Sequence, residues 1–361
     1  MFERAPALIE AGAGVQLSPN ATRRLRDLGV LDAILPACLR PERVRVRRAR
    51  DGRDLAEVPL GDRAEARYGA PFLLVHRADL QAALAAALAT QPTVSLRLGA
   101  GLRQVTDTAG GVAVRLDTGE DWHGAALIGA DGLHSVVRRH LAGTRPDPLH
   151  PSTRTAWRAL VPAEIAPGFA REPASALWLG PGAHLVHYPI RNGRFVNVVA
   201  VVDRPTQGDG EDWAKPGAAT DLLASFADWS RDALALLAAA PAWRVWPLFT
   251  RAPLAWSSGR VALVGDAAHP MLPFLAQGAA QGIEDAAALA AAMADGPDMP
   301  AALRRYEAAR RPRAERVVRT SRGQGTVYHL AGPAARARDL AFRLLGPDRM
   351  LSRLDWLYGN P

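Results

Sequence analysis

The segment GRVALVGDAAHPMLPFLAQGAAQGIEDAAALA, residues 259–290, limits the chain more than any other stretch. Its apolar run from Val261 reads as a buried strand, and Gly265 gives that strand a tight exit. Asp266 then stands at the strand's C-terminal end, the edge at which open α/β sheets take their ligands. A carboxylate there accepts hydrogen bonds from ligand hydroxyls. Pro270 and Pro273 stiffen the loop, and Gly278 and Gly282 let backbone come close to a flat ligand. The long helix that follows turns its N-terminal amides and positive dipole end toward the same place. An ordinary strand–loop–helix connection with a capping aspartate reads the same on spacing alone.

A second segment, AALIGADGLHSVVRRHL at 125–141, repeats the pattern. A short buried strand ends in Asp131-Gly132, and Ser135 and Arg138 follow where a helix starts. Arg138 can pair with the aspartate or reach a phosphate. Alone the pattern is a common turn. The two segments in this order imply a nucleotide-binding α/β region in which both acids serve one extended ligand.

Between them the character of the chain changes. Residues 151–250 carry tryptophans, prolines and alternating runs such as AHLVHYPI and RFVNVVAVV, the pattern of an antiparallel sheet. The expected organisation is discontinuous: 1–150 with 251–361 as the nucleotide-binding region and its C-terminal helices, and 151–250 as an inserted sheet domain. Residues 18–36 read as one helix, 76–90 as another, VRVRRARDGRDLAEVPL as two strands about Asp51-Gly52, and GGVAVRLDTGEDWHG as a hairpin.

The formal charge of +8 raises nucleic acid or acidic membranes as partners. Lys215 is the only lysine, and the arginines are interleaved with acids, as in RRYEAARRPRAERVVR; a solvated helix face explains that stretch, so neither partner is expected. Cys38 is the lone cysteine, which excludes an intrachain disulfide and a cysteine-based metal site. No secretory signal and no apolar run of about 20 residues is present, so a cytoplasmic protein is expected.

GADGLHSVVR resembles the DG motif of the flavin-dependent aromatic hydroxylases, and VALVGDAAHPMLPFLAQGAAQGIEDA resembles their GD motif. HRADL at 76–80 is similar to the helix that supplies an arginine to the flavin, and FERAPALIEAGAGVQLSPNATRRLRDLG to the stretch starting at their second strand. The similarity runs over most of the chain and is greatest to the salicylate hydroxylase and 3-hydroxybenzoate 6-hydroxylase branch. It implies a Rossmann-like FAD-binding domain, α/β in class, with an inserted antiparallel substrate domain and a helical C-terminus. It further implies Glu3, with Arg4 beside it, on the adenosine ribose, Arg77 on the pyrophosphate or ribityl region, and Val105 near the adenine. Asp131 is implied near the pyrophosphate with a part in NAD(P)H handling, Asp266 on the ribityl chain, Gly265 and Pro273 among the cofactor-binding residues, and the Gly278 region against the isoalloxazine. The implied reaction is a monooxygenation: NAD(P)H reduces FAD, O₂ gives a flavin C4a-hydroperoxide, and an electron-rich phenolic or benzoate-type ring takes the oxygen. A monomer or homodimer is expected.

The protein's own contribution is to deprotonate the phenol and exclude water. In AHLVHYPI, strand alternation puts His184 and Tyr188 on one face and His187 on the other, so the two histidines are not a metal pair. His184 with Tyr188 is the preferred substrate-facing set, His187 the fallback, and Gln277 a hydrogen-bonding partner for the same hydroxyl. His269 is expected to orient its loop rather than to catalyse.

The family pattern begins with a strand, a GxGxxG turn and a helix. Here MFERAPALIEAGAGVQLSPN opens the sequence, and GAGVQL, GAGLRQ, GPGAHL and GQGTVY all lack the third glycine. About 30 residues are expected to be absent. A missing central strand leaves buried backbone groups unpaired at about 1–3 kcal/mol each, against a total stability of about 5–15 kcal/mol. Two alternatives follow: a non-catalytic truncated remnant unable to bind FAD, and a related monooxygenase acting on a non-aromatic or polycyclic substrate.

Overall fold

The structure is a computed structural model, which describes residues 1–8, 13–108, 110–205 and 215–359. The chain divides into two compact units. One comprises Met1–Ile9, Gln81–His150 and Thr250–Ser321; the other comprises Glu10–Leu80, Pro151–Phe249 and Arg322–Pro361.

In the first unit the two apolar runs flagged by their acids form neighbouring parallel strands. Leu127–Gly129 pairs with Val261–Leu263, Leu127 opposite Val261 and Gly129 opposite Leu263, and Ser257–Ser258 adds an antiparallel edge. The predicted hairpin is present, Val112–Leu116 with Asp121–Gly124, and Leu102–Asp107 completes a three-stranded meander. Valines dominate the interior: Val105, Val112, Val114, Val137 and Val261 pack with Leu263, Leu289, Leu303 and Tyr306. The Tyr306 hydroxyl donates to the Leu263 carbonyl at 2.9 Å, satisfying a buried polar tip inside this cluster.

In the second unit eight strands form one sheet. Their order is Lys215–Gly217, Trp243–Thr250, His150–Pro162, Phe195–Val202, Ala183–Ile190, Ala174–Gly180, Arg43–Arg48 and Asp54–Pro59. The sheet is thus not confined to the middle of the chain. Arg43–Arg48 and Asp54–Pro59 extend it, and Arg43–Arg48 runs parallel to Ala174–Gly180. One face carries Trp157, Trp178, Leu185 and Val198, which pack with Phe226 and Leu236. The single helix expected over 18–36 is broken. Pro19–Asp27 ends where Gly29 takes φ 69°, and only Leu31–Ile34 and a short turn at Leu35–Ala37 follow. Gly29 N–H closes the first helix onto the Arg26 carbonyl, a left-handed stop that the apolar spacing does not reveal. No helix among the described residues is long and apolar enough to cross a membrane.

Candidate active site

Gly129 lies opposite Leu263 in a parallel pair, so the chain leaves both strands at the same edge, with Asp131 two residues on and Asp266 three. Arg138 joins the two exits. Its Nε and Nη2 donate to Asp147 at 2.8 and 3.1 Å, its Nη1 to the carbonyls of Ala267 and Ala268 at 3.1 and 3.0 Å, and its Nη2 also to the Ala252 carbonyl at 2.7 Å. All five donors of the guanidinium are therefore satisfied by protein oxygens. Arg138 pairs with Asp147 rather than with Asp131 or a phosphate, because it is fully buried and its fork matches that carboxylate. Asp131 instead opens the helix Val136–Ala142. Its Oδ1 accepts from Ser135 Oγ at 2.5 Å and its Oδ2 from the amides of Val136 and Val137 at 2.7 and 3.2 Å. Ser135 Oγ in turn accepts from the Arg138 amide at 2.8 Å.

Asp266 is exposed in a short turn, Gly265–Ala267, at the end of its strand. Gly265 has φ 59°, and a Cβ on Gly282 would lie 3.7 Å from the Gly265 Cα, so the strand exit and the following helix meet through their glycines. Pro273 begins the turn Pro273–Leu275, and Ala276 then takes φ 52°, a left-handed conformation costing about 1–2 kcal/mol in a non-glycine residue. The helix Gly278–Ala294 starts directly after it. Gln277 makes no side-chain cap, no acid lies in the first turn, and a Cβ on Gly278 would meet nothing within 4 Å. Open amides at a 17-residue helix, beside an exposed carboxylate, fit the carbonyls and ribityl hydroxyls of a flavin.

Beneath this loop is a buried ionic cluster that sequence reading passed over. Asp285 Oδ2 accepts from the Gly265 amide at 3.0 Å and meets His269 Nε2 at 2.5 Å, while Arg310 Nε donates to Asp285 Oδ1 at 2.9 Å. Arg310 Nη1 and Arg313 Nε donate to Glu284 at 2.5 and 2.7 Å. Burial alone would raise the Asp285 pKa, but His269, Arg310 and the Gly265 amide outweigh it and hold the carboxyl below its usual value. His269 thus ties its loop to the helix. The visible signal was the Glu284-Asp285 pair inside GIEDA, the only acids on a helix otherwise uncharged.

Glu3 is tied to its own segment: its Oε1 accepts from the Ala5 amide at 2.8 Å and its amide donates to the Arg97 carbonyl at 2.9 Å. Arg4 is exposed beside Gly101, and Val105 faces the valine core. In the other unit, Arg77 begins the helix Arg77–Ala89 immediately after the strand Leu73–His76.

His184, His187 and Tyr188 lie on Ala183–Ile190 as alternation requires. His187 faces the aromatic core against Phe169 and Trp178; both its nitrogens are buried without partners, and burial followed by Arg47 drives its pKa down to about 3. On the opposite face Tyr188 packs over Gly14, where a Cβ would come within 2.8 Å of its hydroxyl, and Gly14 N–H donates to Asn197 Oδ1 at 2.8 Å. Burial raises the Tyr188 pKa, opposed by Arg158. His184 heads a chain that sequence reading missed: its Nδ1 is 2.6 Å from His329 Nε2, and His329 Nδ1 is 2.7 Å from Asp203 Oδ1. Arg154 Nε donates to the same Asp203 oxygen at 2.7 Å. Desolvation lowers the pKa of both histidines, so both rings are neutral near pH 7. A carboxylate only accepts, which assigns the protons in turn: His329 donates from Nδ1, accepts at Nε2 from His184 Nδ1–H, and leaves the lone pair of His184 on Nε2.

Sheet, paired acids and open helix start define a flavoprotein of the FAD-binding domain family, whose profile matches residues 1–321, and the chain belongs to that family. Within it the chain is similar to 3-amino-4-hydroxybenzoate 2-monooxygenase of Streptomyces cremeus, 38% identical over 100% of this chain and 88% of that protein. It is also similar to 3-hydroxybenzoate 6-hydroxylase of Klebsiella oxytoca, 34% identical over 99% of this chain and 90% of that one. A solved salicylate hydroxylase substrate complex superposes with a TM-score of 0.82 at 26% identity, covering 97% of this chain and 88% of the other. The protein is an FAD-dependent, NAD(P)H-consuming monooxygenase of the aromatic hydroxylase type. Matches over this much of the relatives' length give the remnant alternative no support.

Proposed function

We propose that the enzyme hydroxylates a small phenol bearing a benzoate-type framework, with O₂ as co-substrate, as a cytoplasmic monomer or homodimer. The observation that carries this reading is the convergence of the two strand exits bearing Asp131 and Asp266 on one sheet edge, ahead of the uncapped helix start at Gly278. The benzoates named for two relatives support the ring class, and the single cysteine is in keeping with a reducing compartment.

Asp266 binds ribityl hydroxyls, the segment Gly265, Pro273 and Gly278 lines the ring, and Glu3, Arg4, Val105, Arg77 and Asp131 serve the remainder of FAD and the nicotinamide. FAD, when bound, accepts hydride from NAD(P)H and activates O₂. The residues of the chain prepare the other reactant. The neutral imidazole of His184 takes the phenolic proton at Nε2, and the ring becomes more nucleophilic as its oxygen gains charge. His329 and Asp203 share the positive charge that results. Tyr188, un-ionised because buried, hydrogen-bonds the substrate oxygen; His187, sealed in the core, orients the strand from behind.

The test is steady-state NADH and NADPH oxidation by the purified flavoprotein with a panel of hydroxybenzoates, with product formed under ¹⁸O₂ analysed by mass. Substrate-stimulated oxidation with one ¹⁸O atom in the product is expected; oxidation that no phenol stimulates overturns the reading.

A further inference from the structure

Among the described residues, Arg138 is neutralised by Asp147, Arg310 by Glu284 and Asp285, and Arg338 by Asp339. Arg158, half-buried, has no such carboxylate. It lies on His150–Pro162 opposite Val199, which in turn pairs with Val186. Cross-strand partners share a face, so Arg158 is on the His184–Tyr188 side of the sheet and not on its aromatic core side. Its guanidinium stacks on Trp246, 4.9 Å from the ring centroid, and makes no hydrogen bond or ion pair with any described residue. Nε is sealed from solvent with no partner at all. The charged and ionisable groups nearest to it are Tyr188 and a second cation, Arg77.

A second donor is stranded on the same face. Asn197 stands opposite Leu160, so it is the diagonal neighbour of Arg158 across the strand pair. Its Oδ1 is fixed by the Gly14 amide, and its Nδ2 is buried with no partner in a side chain only 1% exposed. An unpaired buried donor costs about 1–3 kcal/mol, and an unpaired cation more. Two of them on the same face, with no carboxylate of a described residue between them, define a site for an anion that no described residue supplies.

We propose that Arg158, with Asn197 Nδ2 beside it, receives the ring carboxylate of the aromatic substrate, making Arg158 the residue that selects hydroxybenzoates over uncharged phenols. This rests on the hydroxylase reading above. The Trp246 ring beneath the guanidinium supports it, and a guanidinium edge offers a carboxylate two parallel N–H donors, the geometry of the strongest arginine pairs. The charge thereby anchors the ring at its carboxylate, and the anchored ring keeps one orientation.

The experiment compares 3-hydroxybenzoate with the isosteric, uncharged 3-hydroxybenzamide, using binding read from flavin absorbance together with kcat and KM of NADH oxidation. In the wild type the carboxylate is expected to bind about 100-fold more tightly than the amide. In Arg158→Gln that preference should collapse to within a few-fold, mostly in KM, and Arg158→Lys should restore part of it. A wild type indifferent to carboxylate against amide, or an Arg158→Gln that keeps the preference, overturns the anchor while leaving the hydroxylase intact. The wild-type comparison decides the matter even if the variant fails to fold. A wild type that no aromatic ring stimulates overturns the hydroxylase reading instead, and the anchor falls with it.

Discussion

His187 illustrates how one side chain can look catalytic in sequence and be held in a different role. Both its nitrogens are buried among aromatic rings without partners, and its pKa is driven to about 3. A histidine depressed in the folded state binds fewer protons than it does in the unfolded chain, so stability is complete above the ordinary value of 6.5 and declines as pH falls from there toward 3. At pH 5 that amounts to about 2 kcal/mol. His187→Phe should therefore flatten the acid limb: the urea midpoint of the wild type should drop between pH 7 and pH 5 by clearly more than that of the variant. Equal drops would place the acid sensitivity elsewhere. His184 and His329 are depressed as well and remain in the variant, so a residual slope is expected.

At the scale of elements, the strand Ala183–Ile190 and the end of the helix Met299–Tyr328 bring together a hydrogen-bonded chain of side chains. The helix ends just before His329, which it delivers between His184 and Asp203. A residue acting through another should alter proton transfer without altering how substrate is held. Asp203→Asn is expected to lower kcat about 10-fold and to move the acidic limb of the kcat–pH profile while KM for the aromatic substrate stays within two-fold or so. A change confined to KM would assign the chain a structural part only. Nothing in the sequence pairs these residues: His329 and Asp203 are 126 positions apart, and His329 sits where a helix merely stops. By contrast the strands at Leu127–Gly129 and Val261–Leu263, with their acids, were legible because each motif is local and ends on a glycine turn.

For the whole molecule, FAD binds the folded chain and not the unfolded one, so stability should rise with free cofactor. At 100 times Kd the gain is about 2.7 kcal/mol, checked by urea unfolding of flavin-depleted protein with and without added FAD. A midpoint that ignores FAD would show that the folded chain does not hold the cofactor. The two strand–acid–glycine motifs gave both the class of protein and the sheet edge. What stayed hidden were long-range partners: Asp147 for Arg138, Asp285 for His269, and the missing partner of Arg158. Each is a question of which distant oxygen meets a given nitrogen, and residue type does not encode that. The saturated guanidinium of Arg138 has one more effect, on descent rather than on chemistry. Because the same five protons hold the carbonyls of Ala252, Ala267 and Ala268 as well as Asp147, neither loop can gain or lose a residue without stranding part of a group that the other loop needs. The two loops are therefore expected to vary in length together across descendants of this chain, or not at all.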